Sequence, residues 1–246
     1  MVEIGAMDTL PVVIAKRARA TPDRTFLVEV GGDTLTYGQA HMTFLAWAAA
    51  LCRAGVEPGE RVAVMLPTSL IAVAAWVGAA WAGALEVPVN TGFRGRMLDY
   101  VLSNSGARVL VIADRYVERI RELDLQKTAV ELVVVAQSSG ELPALGVQVV
   151  ALEAFLEGAP PLGTLDPPMP WDVATVLYTG GTTGPSKGCA AAVGRDDPDG
   201  GALPRGRARR HLLRAVPTVP RHGQDPPGHD GVRRWPRGDP RVVQDR

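Results

Sequence analysis

The chain has 246 residues, of which 46% are hydrophobic, so it carries enough apolar surface for one large domain with a real core. Its 26 basic and 26 acidic residues cancel, so the net charge gives no indication of a nucleic-acid partner or an acidic membrane. Its two cysteines, Cys52 and Cys189, suggest neither a disulfide framework nor a zinc site, and we expect a cytoplasmic protein.

Neither a signal peptide nor a transmembrane segment is expected. The first ten residues include Glu3 and Asp8 and contain no apolar run. The most apolar stretch, residues 70–85, is rich in small side chains and too short to span a bilayer comfortably. It therefore predicts a buried core helix.

Up to about residue 188, hydrophobic periodicity predicts alternating strands and helices. The predicted helices cover residues 10–20, 37–54, 69–82, 94–105 and 115–123. The predicted strands cover residues 26–30 and 34–36, which form a hairpin, and then 61–66, a short strand ending at 89, 108–112, 132–136, 147–150 and 172–178. Gly55 is expected to cap the second helix, and the proline-rich residues 158–170 to form a loop. This alternation favours an α/β fold with a mainly parallel sheet flanked by helices.

The composition changes after about Gly188. Residues 189–246 contain no Ile, Phe, Tyr, Met, Ser, Asn, Lys or Glu, while Arg, Pro, Gly, Asp and Ala dominate. Such a segment cannot bury enough apolar surface to offset its ordering entropy, so we expect a disordered, low-complexity tail. We therefore divide the chain into residues 1–188 and 189–246.

Three interpretations of this tail are open. The first is a plain flexible extension, the second is an arginine-rich arm that binds nucleic acid, and the third is the product of a shifted reading frame. Aspartates interrupt the basic run and Trp235 is its one aromatic residue, which disfavours nucleic-acid binding. Arg, Pro, Gly and Ala are abundant when GC-rich DNA is translated out of frame, so we favour the frameshift.

Residues 178–188 follow an apolar strand and have the sequence YTGGTTGPSKG. A polyphosphate needs many hydrogen-bond donors and little side-chain bulk near its oxygens. Glycines let backbone N–H groups approach, hydroxyl groups add donors, and a lysine supplies a mobile positive charge. The candidate phosphate-binding residues are Thr179, Gly180, Gly181, Thr182, Thr183, Gly184 and Lys187.

Two other nucleotide-binding motifs do not fit this segment. In a Walker A loop the lysine follows glycine and precedes Ser or Thr, whereas Lys187 lies between Ser186 and Gly188. The glycine spacing also differs from that of a Rossmann fingerprint.

Residues 179–188 resemble the phosphate loop of the adenylate-forming (AMP-binding) superfamily, which includes acyl-CoA synthetases. Gly180 stands where the family commonly has Ser, and Ser186 where it commonly has Pro. The resemblance extends back to about residue 10, most clearly over residues 55–64, GVEPGERVAV, which are similar to a turn and strand of the family. It implies that residues 1–188 are the N-terminal part of the large adenylate-forming domain.

The resemblance also implies a function. Family enzymes use ATP and Mg²⁺ to activate a carboxylic acid as an acyl-adenylate and then transfer the acyl group to coenzyme A. The later family motifs, including the ribose-binding Asp and the C-terminal catalytic Lys, have no counterpart in residues 189–246. We therefore expect a truncated acyl-CoA ligase that is inactive alone and has no residue to assign as catalytic. A non-catalytic nucleotide-binding module and an interaction protein with a basic nucleic-acid-binding tail are the alternatives.

Overall fold

A computed structural model describes residues 3–5, 7–138, 140–158, 167–170, 172–179 and 187–192. For Thr179, Lys187 and Ala192 it describes the backbone alone. The helices are α1 (Leu10–Ala20), α2 (Tyr37–Arg53), α3 (Leu70–Trp81), α4 (Gly95–Ser105), α5 (Glu118–Arg121) and α6 (Leu152–Leu156). The strands are β1 (Thr25–Val28), β2 (Thr34–Thr36), β3 (Arg61–Met65), β4 (Leu85–Pro88), β5 (Val109–Ala113), β6 (Leu132–Ala136), β7 (Gln148–Ala151), β8 (Val173–Thr179) and β9 (Lys187–Ala192).

Seven strands form one sheet in the order β7-β6-β5-β3-β4-β8-β9. All neighbours in this sheet are parallel except β8 and β9, which are antiparallel. The strands β1 and β2 form a separate antiparallel hairpin. This arrangement confirms the predicted α/β fold with a mainly parallel sheet.

The sheet is buried on both faces because its strands alternate their side chains between two cores. In β3, Val62 and Val64 join the first core, together with side chains from α1, α2, α3 and α6. The intervening Ala63 and Met65 join the second core, with side chains from α4 and α5. Helices therefore cover both faces, as continuously apolar parallel strands require.

The longest helix, α2, has matching start and stop signals. Thr36 accepts a hydrogen bond from the Gln39 amide at 3.2 Å, and the Gln39 side chain accepts one from the Thr36 amide at 2.9 Å. This reciprocal pair is a capping box. At the other end Gly55 adopts a φ of 74°, and the Val56 amide donates to the Leu51 carbonyl at 3.0 Å. The helix thus ends in a Schellman motif, and the predicted capping role of Gly55 is confirmed.

Replacing Thr36 with alanine is expected to lower the free energy of unfolding by about 1 kcal/mol, because an orphan amide of α2 loses its acceptor. Urea unfolding of the full chain measures this change. Thr43→Ala is the matched control, because the Thr43 hydroxyl donates only to the Gln39 carbonyl within the same helix. An equal loss in both variants would contradict the capping role.

The structure differs from the prediction in one helix and in two short elements. The helix predicted over residues 115–123 is a 3₁₀ turn (Asp114–Tyr116) followed by the single turn α5. The short elements α6 and β9 were not predicted. β9 runs to Ala192, so a strand extends four residues beyond Gly188, where the tail was predicted to begin. Residues 159–166 of the predicted loop and 193–246 of the predicted tail lie outside the described residues.

Within the described ranges, none of the helices combines the length and apolar character needed to cross a membrane. The apolar stretch predicted as a core helix forms α3, in which Ala74, Ala75, Val77 and the residues that follow are buried. This prediction is confirmed.

Candidate functional site

The candidate phosphate loop follows the carboxyl end of β8. Because β8 runs parallel to β4, it ends at the same edge of the sheet as β3, β4, β5 and β6. In open α/β sheets, ligands bind outside this edge. The fold therefore presents the start of the loop at the edge where a ligand site is expected.

The strands β8 and β9 pair in a hairpin from Val173 opposite Ala192 to Thr179 opposite Lys187. Two of the predicted site residues, Thr179 and Lys187, are thus backbone partners across the base of the loop. The other five, Gly180, Gly181, Thr182, Thr183 and Gly184, belong to residues 180–186, which lie outside the described residues. The site assignment stays a prediction, because the side chains that would contact phosphate are not among those described.

Tyr178 anchors the end of β8 to helix α4. Its hydroxyl donates a hydrogen bond to Oδ1 of Asn104 at 2.8 Å, and its ring meets that of Tyr100 edge-on at 6.5 Å between centroids. Burial raises the pKa of Tyr178 to about 12, so the hydroxyl keeps its proton at neutral pH and stays a donor. The residue before the loop is thereby held in place from the α4 side.

Gly188 leaves room for Val176 on the neighbouring strand, and it pairs directly with Tyr178 in the hairpin. A Cβ atom on Gly188 would lie 3.0 Å from Cγ1 of Val176 and 3.5 Å from Cζ of Tyr178. The glycine that ends the motif therefore has a packing reason as well as its place in the loop pattern.

A buried carboxyl group, which was not among the predicted site residues, lies on β4 next to β8. Glu86 of β4 is only 9% exposed and pairs in register with Thr175 of β8. The Thr175 side chain hydrogen-bonds the carboxylate and accepts a hydrogen bond from Nε1 of Trp76 at 3.1 Å. Burial raises the pKa of Glu86 to about 7 against the opposing effect of Thr175. The signal available in the sequence was one acidic residue inside the apolar run 84–89.

A cavity of about 250 Å³ opens at the carboxyl ends of β3 and β4, lined among others by Leu66, Ser69 and Pro88. The helix after β3 packs in the first core and the helix after β4 in the second, on the opposite face. The chain then crosses to β5 on the far side of β3. Ligands bind at such switch points in open sheets. The crevice and the loop thus share one edge of the sheet.

Metal-ligating side chains do not cluster in the described part of the chain: no group of three His, Cys, Asp or Glu residues could hold an ion there. The cationic and hydroxyl-bearing residues of the loop are the groups that fit a polyphosphate, through charge and hydrogen bonding.

The titration of Glu86 makes the stability of the fold depend on pH. Its folded pKa of about 7 lies above the ordinary value of 4.5, so between these values the folded state holds a proton that the unfolded state has lost. The free energy of unfolding should therefore fall as the pH rises from 5 to 7, by roughly 2–3 kcal/mol, and then level off. Urea unfolding at several pH values measures the loss.

Glu86→Gln should remove this fall, leaving the variant more stable than the parent chain at pH 8. Glu153→Gln, an exposed change of the same kind in α6, is the control and should keep the fall. A pH dependence that persists unchanged in Glu86→Gln would show that other groups cause it.

Comparison with known proteins identifies the family. The model of the AMP-binding enzyme family matches residues 14–194. A 3-[(3aS,4S,7aS)-7a-methyl-1,5-dioxo-octahydro-1H-inden-4-yl]propanoyl:CoA ligase of Mycobacterium tuberculosis is 32% identical over 77% of this chain and 37% of its own length. A feruloyl-CoA synthase of Amycolatopsis is 33% identical over 73% of this chain and 32% of its own length. The chain thus spans about a third of the length of these curated relatives.

A solved structure shares the fold. The anthranilate CoA ligase AuaEII, crystallised in complex with anthranoyl-AMP, superposes with a TM-score of 0.67 at 23% identity. The match covers 77% of this chain and 35% of that protein. The family match extends two residues beyond Ala192, the last residue of β9, so the complete hairpin around the loop lies inside it. The chain therefore belongs to the AMP-binding enzyme family, among homologues that are acyl-CoA ligases.

Proposed function

We propose that residues 179–187 bind the β- and γ-phosphates of ATP, and that this chain represents part of an AMP-forming acyl-CoA ligase. The observation that carries the proposal is the β8–β9 hairpin, which brings Thr179 and Lys187 together at the carboxyl edge of a parallel sheet. The family match supports the same assignment, because its range includes the loop.

Each part of the loop has a chemical role in this proposal. Glycines 180, 181 and 184 let backbone N–H groups approach the phosphate oxygens, and the hydroxyl groups of Thr179, Thr182 and Thr183 add hydrogen bonds. Lys187 pairs its ammonium group with the phosphate charge. Mg²⁺, when bound to ATP, offsets further negative charge on the phosphates.

The proposed reaction has two steps. A carboxylate oxygen of the acid attacks the α-phosphorus of ATP, forming an acyl-adenylate and releasing pyrophosphate. The thiol sulfur of coenzyme A then attacks the acyl carbon, forming the thioester and releasing AMP. Holding the pyrophosphate in place stabilises charge on the leaving group of the first step. The curated relatives named above are acyl-CoA-forming enzymes, which supports this reaction class.

We further propose that residues 1–188 contribute the partial AMP-binding domain, and that the 246-residue chain binds ATP without adenylating a carboxylic acid. Placing both reactants together supplies much of the rate enhancement in such reactions. The family resemblance assigns the ribose-binding Asp and the catalytic Lys to segments without counterpart in residues 189–246. The proposed domain ends at residue 188, although β9 continues to Ala192 and the family match to residue 194.

Competition between ATP and inorganic tripolyphosphate tests the proposal. If the loop holds phosphates and the chain contributes little to adenosine binding, tripolyphosphate should displace ATP, whereas adenosine should not. Isothermal titration of the full chain measures both. Displacement by adenosine alone would contradict the assignment. Pyrophosphate exchange into ATP with a panel of carboxylic acids tests the second claim, and measurable exchange would refute it.

A further inference from the structure

A second, larger cavity lies against α3 and adjoins the 250 Å³ crevice, because Trp76, Glu86 and Pro88 line both. It has a volume of about 360 Å³, and its walls come from the start of α1, from α3, and from strands β4, β8 and β9. Most of its lining is apolar, including Val77 and Ala174, and Leu10 and Leu177 are exposed large apolar residues at this surface. The volume is within the range of small-molecule sites, which begins at about 300 Å³.

The polar side chains of this cavity form one hydrogen-bonded group. Trp76 donates to Thr175, and the Thr175 hydroxyl hydrogen-bonds the Glu86 carboxylate. Glu86 is more than nine-tenths buried and lies in the lining itself. Because the Thr175 hydroxyl accepts from the indole, its own proton is directed to the carboxylate. The carboxyl group therefore lies at the cavity wall beside a hydroxyl group.

Glu86 is the one ionisable side chain among the described residues that line the cavity. The lining contributed by α1, α3, β8 and β9 contains no Lys, Arg, His, Asp, Cys or Tyr. A buried carboxylate without a cation is costly, and a cation entering the cavity would offset that cost. Trp76 adds an aromatic side chain, and indole faces attract cations. Charge and shape together favour an occupant with one positive charge and an apolar body.

We propose that this cavity binds a small organic ammonium ion, whose charged nitrogen pairs with Glu86 and whose apolar body contacts the α3 wall. The charged end of the site is remote from the phosphate loop: Thr175, the strand partner of Glu86, lies four residues before Thr179 along β8, which is about 13 Å in a strand. The inference does not rest on ATP binding.

Benzylamine and benzyl alcohol are the probes, because they share an aromatic ring and differ in charge. Titration of the full chain, followed by NMR chemical shifts, should show benzylamine binding at least tenfold more tightly than benzyl alcohol at pH 8. The preference should shrink at pH 6, because Glu86 then carries a proton that an ammonium ion must displace. Shifts should centre on α3 and β8.

Glu86→Gln should abolish the preference for the amine while leaving weak binding of the alcohol. Glu153→Gln, an exposed change in α6, should leave both affinities unaltered. Equal affinities for the two probes in the parent chain would overturn the proposal, as would an amine preference that survives in Glu86→Gln. Absence of amine binding at millimolar concentration in the folded parent chain would do the same.

Discussion

Replacing Gly78 with alanine is expected to destabilise the fold by about 1–3 kcal/mol, or more, because helices α2 and α3 touch at this residue. A Cβ atom on Gly78 would lie 2.3 Å from Cβ of Trp47 and 3.1 Å from the carbonyl oxygen of Phe44. Neither atom can move by a change of rotamer, since one is backbone and the other is bonded directly to it. The two helices would have to separate, and the first core would open around the buried Trp47.

Whether the substitution lowers or raises the free energy of unfolding distinguishes a packing effect from a helix-propensity effect. In an open helix the same change stabilises by about 1 kcal/mol, because alanine is the better helix former. Gly140→Ala is the control, since nothing lies within 4 Å of the position and its φ is not left-handed. Urea unfolding should show a large loss for Gly78→Ala and almost none for Gly140→Ala. A stabilised Gly78→Ala variant would contradict the close approach of α2 and α3.

Replacing Lys187 with alanine is expected to weaken ATP binding by about 10- to 100-fold. A charged hydrogen bond to a phosphate contributes about 1.5–3 kcal/mol. The backbone of Lys187 pairs with that of Thr179, and this pairing does not depend on the side chain. The variant should therefore keep its fold while losing the positive charge at the base of the loop.

Lys127→Ala is the matched control for this experiment. Lys127 is exposed and pairs with Asp124 at 2.9 Å on a 3₁₀ turn, so the substitution removes the same charge elsewhere on the surface. ATP affinity should stay within about twofold in the control. Equal weakening in both variants would indicate that net charge, not the loop, attracts ATP.

The sequence was most informative where both faces of a strand are buried. β6 has the predicted bounds, Leu132–Ala136, because five consecutive apolar residues contribute alternately to the two cores. Helix α3 was equally predictable, since its small apolar residues are bounded by Ser69 at one end and Gly83 at the other. At β6 and α3, the secondary structure that the local sequence favours is also the one that tertiary burial stabilises.

The sequence was least informative where tertiary contacts determine the secondary structure or the burial of a residue. The alanines at 190–192 have little strand preference, and pairing with β8 makes them a strand. The five-residue helix α6 is too short to show periodicity, and it is stabilised by Phe155, whose ring meets Trp47 edge-on at 6.0 Å. The burial of Glu86 depends on strand order, because its strand partner Thr175 is 89 residues further along the chain.

Of the candidate site, the loop motif was recognisable from its residues, because phosphate chemistry restricts them to glycines, hydroxyls and a cation. Its placement at the carboxyl edge of the sheet depends on the parallel pairing of β8 with β4, which only the structure shows. The hairpin register that pairs Thr179 with Lys187 could not be predicted, because β9 has no pattern of its own. The hydrogen bond between Tyr178 and Asn104 joins residues 74 positions apart, so it could not be predicted from the sequence either.

Amide hydrogen exchange of the full 246-residue chain, with and without Mg·ATP, tests the central claim most directly. If residues 179–187 bind the ATP phosphates, peptides that span Thr179 to Gly188 should exchange more slowly with the nucleotide present. Peptides from residues 193–246 should not change. Unaltered exchange across the loop at saturating ATP, or protection confined to the tail, would contradict the assignment.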